Sequence, residues 1–272
     1  MQATGNNQLH AYHLSIRLHA DGFSFFSCSL SGEEPPVTAE HYVYEQGESA
    51  AVSMEHALVH SALIRNHKHA SVYILVADVC MQVPLKHFDK SEAQALYNLT
   101  FHNEKRLRTY YNILPHIEVA LVFGIDHDTD KVLSRHFPQM RVYHAHTMLL
   151  EKIKLTTDQV STRLYVYLHG EEAFVFHMND RQLQYANTFK ADHPDTTAYY
   201  ILSVWKQEGL DQEQDVCVLF GNTPNVTAVA SSLSPYIRKV SATTAIELFR
   251  RSPLARIREL PTDLVALLGT TI

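Results

Sequence analysis

The sequence predicts an α/β protein made of two related domains, each with a mixed sheet and flanking helices. A strand-turn-strand pattern, "LSIRLHADGFSFFSCSL" (residues 14–30), returns as "LYVYLHGEEAFVFHMND" (residues 164–180), with a histidine before each turn. In both halves the succession strand, strand, strand, helix, strand follows, so the chain carries an internal repeat. With 272 residues, 46% of them hydrophobic, it can bury a substantial core.

The first half is assigned from apolar spacing. Leu14, Ile16 and Leu18 alternate with polar residues and predict the first strand, and the aromatic run after the Ala-Asp-Gly turn predicts the second. Residues 41–44 predict the third strand. Apolar spacing over residues 49–66 predicts one helix that Ser49 can cap. The nearly continuous apolar run "SVYILVAD" predicts a strand covered on both faces.

The second half repeats this order. Its hairpin is followed by the strand "QLQYANTFK", a helix over residues 195–209 and the strand "DVCVLFGN". Tyr199, Tyr200 and Trp205 fall at core-like spacing in that helix. Between the two copies we expect a strand (118–126), a helix (128–136), a strand (140–146) and a helix (147–154), and helices over 225–240 and 244–252 follow the second copy. The predicted domains are 1–155, with an inserted α/β region at 81–150, and 156–272.

Composition excludes several classes of protein. The net charge of −6 argues against a nucleic-acid-binding surface. No apolar run reaches the roughly 18 residues of a membrane span, and the N-terminus lacks the features of a signal peptide, so a cytoplasmic location is expected. Cys28, Cys80 and Cys217 lie far apart, which predicts reduced thiols in strands and neither a disulfide framework nor a zinc site.

Two further motifs could suggest a metal site. In "GIDHDTD" (residues 124–130) acidic residues alternate after a strand, but the spacing fits no phosphatase or calcium loop, and capping of the following helix by Asp128 or Thr129 is the preferred interpretation. In "HALVH", His56 and His60 stand four apart, but Ala57 takes the place of the glutamate of a zinc protease. The pairs His67/His69 and His144/His146 rest on spacing alone. No metal site is therefore predicted from these motifs.

The duplicated unit resembles the actin-like ATPase superfamily, which has a ribonuclease H-like fold. "VLFGNTPNVTAVASSLSPYIRKV" (residues 218–240) is similar to the adenosine segment of that superfamily. "VPLKHFDKSEAQALYNL" (83–99) with "IEVALVFGIDHDTDKVLSRHF" (117–137) resembles the inserted region of its pilus-assembly members. The whole chain is similar to a bacterial family of unknown function within this superfamily, distantly similar to cell-division actin-like proteins.

The resemblance implies that ATP and Mg²⁺ bind between the two domains. In the superfamily each hairpin turn wraps the phosphates through backbone N–H groups, and an Asp at the end of each first strand holds the magnesium ion. Close backbone approach to phosphate favours glycine. The candidate nucleotide-binding residues that this implies are Asp21, Gly22, Ser24, His169, Gly170, Glu171, Gly221 and Asn222.

The sequence departs from the superfamily pattern at these positions. Asp21 is displaced into the first turn, the second turn has no strand-end Asp but carries Glu171 and Glu172, and Asn222 replaces a second glycine. Carboxylates without a cation between them repel phosphate. We therefore expect a degenerate nucleotide site with no catalytic residue, and a binding or scaffold role with a protein partner.

Two alternatives stay open. One is a magnesium-dependent ATPase or kinase that acts at the interdomain cleft and uses Asp21, Glu171 or Glu172. The other is a self-associating assembly partner of the pilus or division type, which the inserted region suggests.

Overall fold

The computed structural model describes residues 12–29, 37–101, 106–156, 162–180, 182–221, 224–250, 252–257 and 260–269. Within these residues the chain forms two compact units. Unit 1 comprises Met1–Cys80, Ser91–Tyr111 and Val122–His144, and unit 2 comprises Met81–Lys90, Asn112–Leu121 and Ala145–Ile272. The predicted domain boundary near residue 155 stays a prediction, as does the placing of region 81–150 in the first domain.

Strands and helices alternate along the chain. The strands are β1 (Tyr12–His19), β2 (Gly22–Ser29), β3 (Val37–Val43), β4 (His69–Val76), β5 (Cys80–Pro84), β6 (Leu107–Leu114), β7 (Val119–Asp126), β8 (Arg141–His144), β9 (Arg163–His169), β10 (Glu172–Asn179), β11 (Gln182–Lys190), β12 (Val216–Gly221) and β13 (Lys239–Ala242). The helices are α1 (Ala50–His60), α2 (Ala62–Asn66), α3 (Ala93–Thr100), α4 (His127–His136), α5 (Ala145–Thr156), α6 (Pro194–Gln207), α7 (Asn225–Leu233), α8 (Ala245–Leu248) and α9 (Thr262–Leu268). Two short 3₁₀ helices are Leu85–His87 and Pro253–Arg256.

Unit 1 is built on a five-stranded mixed sheet in the order β3-β2-β1-β4-β8. β1 pairs antiparallel with β2 and parallel with β4, where Leu14 lies opposite Val72. Leu14, Ile16 and Leu18 lie on one face of β1, as the alternation predicts, and form a core with Met54 of α1. The helices therefore cover this face of the sheet.

Unit 2 repeats the same arrangement with the order β11-β10-β9-β12-β13. β9 pairs antiparallel with β10 and parallel with β12, where Leu164 lies opposite Cys217. The core joins Leu164 and Val166 to Ile201 and Trp205 of α6. The matching strand order confirms the predicted fold class, in which two related domains carry mixed sheets and flanking helices.

Several elements differ from the sequence prediction. The strands β5, β6 and β13 and the helices α3 and α9 were not predicted, and β5, β7 and β6 form a three-stranded sheet in that order. α7 ends at Leu233, much earlier than predicted, because Pro235 cannot continue a helix. Tyr199 is 67% exposed, so its predicted core position is wrong, whereas Trp205 is 3% exposed and lies in the core.

The predicted helix over residues 49–66 is two helices. Ser49 caps α1 by accepting a hydrogen bond from the Val52 backbone N–H, as predicted. Ser61 then interrupts the helix, since its hydroxyl accepts a hydrogen bond from Ile64 N–H at 3.1 Å and so caps α2.

No helix in the described part of the chain has the length and apolar character that a membrane span requires.

Candidate functional site

The first hairpin turn places a histidine, and not an aspartate, at the end of the first strand. His19 is the last residue of β1, and its Nδ1 donates a hydrogen bond to Asp21 Oδ1 at 2.7 Å. The hydrogen bond from His19 lowers the pKa of Asp21, whose side chain is 83% exposed. Burial lowers the pKa of His19, although the same hydrogen bond opposes that effect. The carboxylate of Asp21 is thus engaged by an imidazole within the turn.

Gly22 and Ser24 follow in β2, and strand packing explains both. A Cβ atom at Gly22 would lie 2.0 Å from the carbonyl oxygen of Tyr42 on β3, so no other residue fits there without moving the strand. Ser24 is buried, and its Oγ shares a hydrogen bond with His41 Nδ1 at 2.8 Å across the β2–β3 pair. Neither residue needs a phosphate to account for its presence.

The second hairpin turn likewise follows a histidine, His169, which ends β9. Gly170 has φ +56°, the left-handed conformation that favours glycine, and its α-carbon faces open space. Glu171 and Glu172 are both exposed, and the Glu171 carbonyl accepts a hydrogen bond from Ala191 N–H at 2.6 Å. This turn therefore presents two carboxylates to solvent.

Gly221 ends β12, the strand of the segment that resembles the adenosine site. Its φ is +139°, and a Cβ atom there would lie 1.9 Å from the carbonyl oxygen of Leu168, its partner on β9. The close approach of the two parallel strands requires glycine. Asn222, the neighbouring candidate, lies outside the described residues.

Two carboxylates that sequence reasoning did not assign to this site lie near Asp21 in unit 1. Burial and, to a smaller extent, the charges of Asp126, Asp78 and Asp21 raise the pKa of Tyr44 to about 12. The sequence shows that Asp78 ends the run "SVYILVAD", and the parallel pairing of β4 with β1 in the structure brings the ends of both strands to the same end of the sheet. Asp78 Oδ1 accepts a hydrogen bond from Val79 N–H at 2.7 Å, so one oxygen of this carboxylate already accepts a local hydrogen bond.

In the "GIDHDTD" motif the capping residue is Asp126. Its Oδ1 accepts hydrogen bonds from the Thr129 N–H and the Thr129 hydroxyl, both at 2.9 Å. The prediction that the motif caps a helix is therefore right, but the prediction that Asp128 or Thr129 is the cap is wrong. Asp128 is exposed and pairs with Lys131 at 3.0 Å.

Asp130, the last acid of the motif, is buried and satisfied by β6. Its side chain is 1% exposed, and its carboxylate accepts hydrogen bonds from Arg108 Nη1 at 2.9 Å and from the Tyr110 hydroxyl at 2.6 Å. Burial raises the pKa of Tyr110, and the hydrogen bond to Asp130 adds to the increase. This carboxylate anchors α4 to β6 and is not available to a ligand.

A histidine cluster lies at the other end of β1 and β4. His13 hydrogen-bonds Ser71, His67 and His69 approach with ring centroids 6.2 Å apart, and His69 Nε2 lies 3.1 Å from Ser27 Oγ. Burial and, to a smaller extent, the charges of His67 and His13 lower the pKa of His69 to about 4. The cluster is therefore stable with a neutral His69.

Unit 2 carries a cavity of about 290 Å³ beside its edge strand β11. The cavity is lined by Gln82, Pro84, Val119 and residues 183–186. An edge strand next to a groove is a surface on which an extended segment can add a strand.

Comparison with known proteins gives one family and several related folds. The sequence profile of the family "Protein of unknown function (DUF3822)" matches residues 2–240. A protein from Bacteroides thetaiotaomicron VPI-5482, described as having an actin-like ATPase fold and unknown function, is 24% identical, with a TM-score of 0.77 and 96% of each chain covered. The PilM–PilN type IV pilus biogenesis complex matches at 11% identity and a TM-score of 0.52, over 96% of this chain and 97% of that chain. No curated protein matches.

These likenesses agree with the repeated strand order of the two units. The relative from Bacteroides shares the fold over nearly the whole length of both chains, and the family profile spans well over half of the sequence. The chain therefore belongs to the DUF3822 family and has an actin-like ATPase fold.

Proposed function

We propose that this protein has a binding or scaffold role and that its nucleotide site is degenerate. One observation carries the proposal: the first strand of each unit ends in a histidine, His19 and His169, where the superfamily pattern has an aspartate. Magnesium prefers oxygen ligands, and an imidazole does not replace them. Without the strand-end carboxylates, the cation that neutralises the phosphates loses its ligands.

The glycines and acids of the two turns support the same proposal. Gly22 and Gly221 have a packing reason in their neighbouring strands, so their presence does not argue for phosphate binding. Glu171 and Glu172 are exposed in the second turn, where they would repel a triphosphate. These two glycines therefore have a structural explanation, and these two acids have the wrong charge for a phosphate site.

The proposed partner is a protein. PilM, which shares the fold at low identity, was solved in complex with PilN, so this fold can act through a protein partner. We keep the expected cytoplasmic location as part of the proposal. Chemical crosslinking in the source cells, followed by mass spectrometry of the purified chain, should yield specific crosslinks to another protein or to a second copy. A chain crosslinked to nothing would count against the proposal.

A magnesium-dependent ATPase or kinase is the second candidate. The observation that favours it is that Asp21, Asp78 and Asp126 all lie close enough to Tyr44 to raise its pKa, although among the described residues their oxygens do not come close enough together to share a metal ion. Against it, Asp21 is bonded to His19 and Asp126 caps α4. Each of these carboxylates already has a local role.

Titration with MgATP separates the two candidates. The wild-type protein should neither bind MgATP measurably in calorimetry nor release phosphate. The double variant His19→Asp/His169→Asp should gain MgATP affinity because it restores the strand-end carboxylates, while the matched variant His19→Asn/His169→Asn should not. Magnesium-dependent hydrolysis by the wild type that is lost in Asp21→Asn would reject the degenerate site in favour of the ATPase.

A further inference from the structure

One face of α1 carries two exposed histidines one turn apart. Met54, Ala57 and Leu58 face the core of unit 1, and His56 and His60 lie on the solvent side of the same helix. Residues four apart are neighbours on a helix surface. The two imidazoles can therefore reach one ligand together.

The two rings already lie side by side. Their centroids are 4.2 Å apart with an interplanar angle of 34°. Two nitrogens that bind one ion at about 2.1 Å each lie a few ångströms from one another. Because both side chains are exposed, rotation about their torsion angles can bring one nitrogen of each ring to that separation.

The backbone orients one of the two imidazoles as a ligand. His60 Nδ1 donates a hydrogen bond to the His56 carbonyl oxygen at 2.8 Å, so in the neutral ring the lone pair is on Nε2. A ring nitrogen held by a backbone carbonyl, with the other nitrogen free to coordinate, is the usual arrangement of a metal-bound histidine. The site is thus partly organised before any ion arrives.

We propose that His56 and His60 form a chelating site for a borderline divalent cation of the Cu²⁺, Ni²⁺ and Zn²⁺ class, with water in the remaining coordination positions. Imidazole suits these ions, whereas Mg²⁺ and Ca²⁺ require oxygen ligands. Because both rings stand on one rigid helix, the second Nε2 or Nδ1 binds as an intramolecular ligand, which strengthens binding about a hundredfold over a single imidazole.

The surrounding charges limit the affinity without preventing binding. Arg65 Nη2 donates a hydrogen bond to the His60 carbonyl oxygen at 3.2 Å and places one positive charge at this end of the helix. Glu55, the nearest acid in sequence, is engaged by Arg135 and His136. The two imidazoles are therefore the groups on which the cation depends.

The test is a titration of the full-length chain with NiCl₂, followed by calorimetry and by ¹⁵N spectra of the imidazoles. The chain has 18 histidines, so a matched control is needed. His87, an exposed histidine of the helix Leu85–His87, supplies it as His87→Ala. His56→Ala and His60→Ala should each weaken the tightest nickel site at least about tenfold.

Circular dichroism of each variant should show that the helix is retained, because both substituted side chains are exposed. MgCl₂ in the same concentration range should leave the imidazole signals unchanged. A double variant His56→Ala/His60→Ala that binds nickel as tightly as the wild type would overturn the proposal. An equal loss of affinity in His87→Ala would overturn it as well, because the site would then lie elsewhere.

Discussion

Replacement of Gly221 by alanine should destabilise the protein strongly, because the glycine lets β12 approach β9. The added Cβ would lie 1.9 Å from the Leu168 carbonyl oxygen, and real Cβ contacts essentially never fall under 3.0 Å, so the strands must separate by about 1 Å. The expected losses are one or two ladder hydrogen bonds of about 1 kcal/mol each and about 1–3 kcal/mol of backbone strain at φ +139°. We expect the free energy of unfolding to fall by about 2–5 kcal/mol.

Gly170→Ala is the matched control for this prediction. It also places alanine at a positive φ, +56°, but nothing lies within 4 Å of the added Cβ. Its cost should be only the left-handed strain of about 1–2 kcal/mol. The difference between the two variants therefore isolates the collision with Leu168 from the backbone strain.

Urea denaturation followed by far-ultraviolet circular dichroism measures both variants, and the slope m shows whether unfolding remains cooperative. Gly221→Ala should unfold at a clearly lower urea concentration than Gly170→Ala. If the two variants unfold together, the close approach of β12 and β9 does not explain Gly221. The glycine would then need another reason, and backbone contact with a nucleotide would be the first to test.

The remaining predictions concern single side chains. The pKa of His69 is lowered from 6.5 to about 4, so the stability that its neutral form supports is complete above pH 6.5 and is lost as the pH falls from 6.5 towards 4. The urea midpoint should therefore fall less in His69→Gln than in the wild type across this range. An equal fall in both proteins would reject the assignment. Asp130→Asn should lower the free energy of unfolding by about 1–3 kcal/mol, because the buried carboxylate satisfies two donors, whereas the exposed control Asp128→Asn should leave it nearly unchanged. Ser61→Ala should cost about 1 kcal/mol in thermal or urea unfolding by removing the cap of α2, and an unchanged midpoint would contradict that role.

The elements with a clear local pattern are those that the sequence predicts well. β9, β10 and β11 and the helix α6 begin and end within two residues of their expected positions, because alternation or helical spacing runs through each of them. β13 was missed because its four residues carry no such pattern, and β6 because its apolar and polar residues are mixed. The helix over residues 49–66 was predicted unbroken because a single serine within a helical pattern does not indicate that a second helix begins there.

The candidate site shows the same division. His19 and His169 end their strands, and Asp21 and Glu171 stand in the turns that follow, as the sequence predicts, since a hairpin is a local structure. The reason for each glycine was not predictable, because the colliding atom belongs to another strand. The proximity of Asp78 to Asp21 depends on the parallel pairing of β1 and β4, which local sequence does not specify.

The sequence alone determined the duplicated α/β architecture, because the spacing of apolar residues that predicts each strand and helix is a local feature and recurs in both halves. It also determined that the first strands end without a carboxylate. Only the tertiary structure decided that Gly221 faces Leu168, that Asp130 is buried against β6, and that His56 and His60 share an exposed helix face. Such contacts depend on packing between segments distant in the chain, or on which face of a helix the core covers, and no local pattern specifies them.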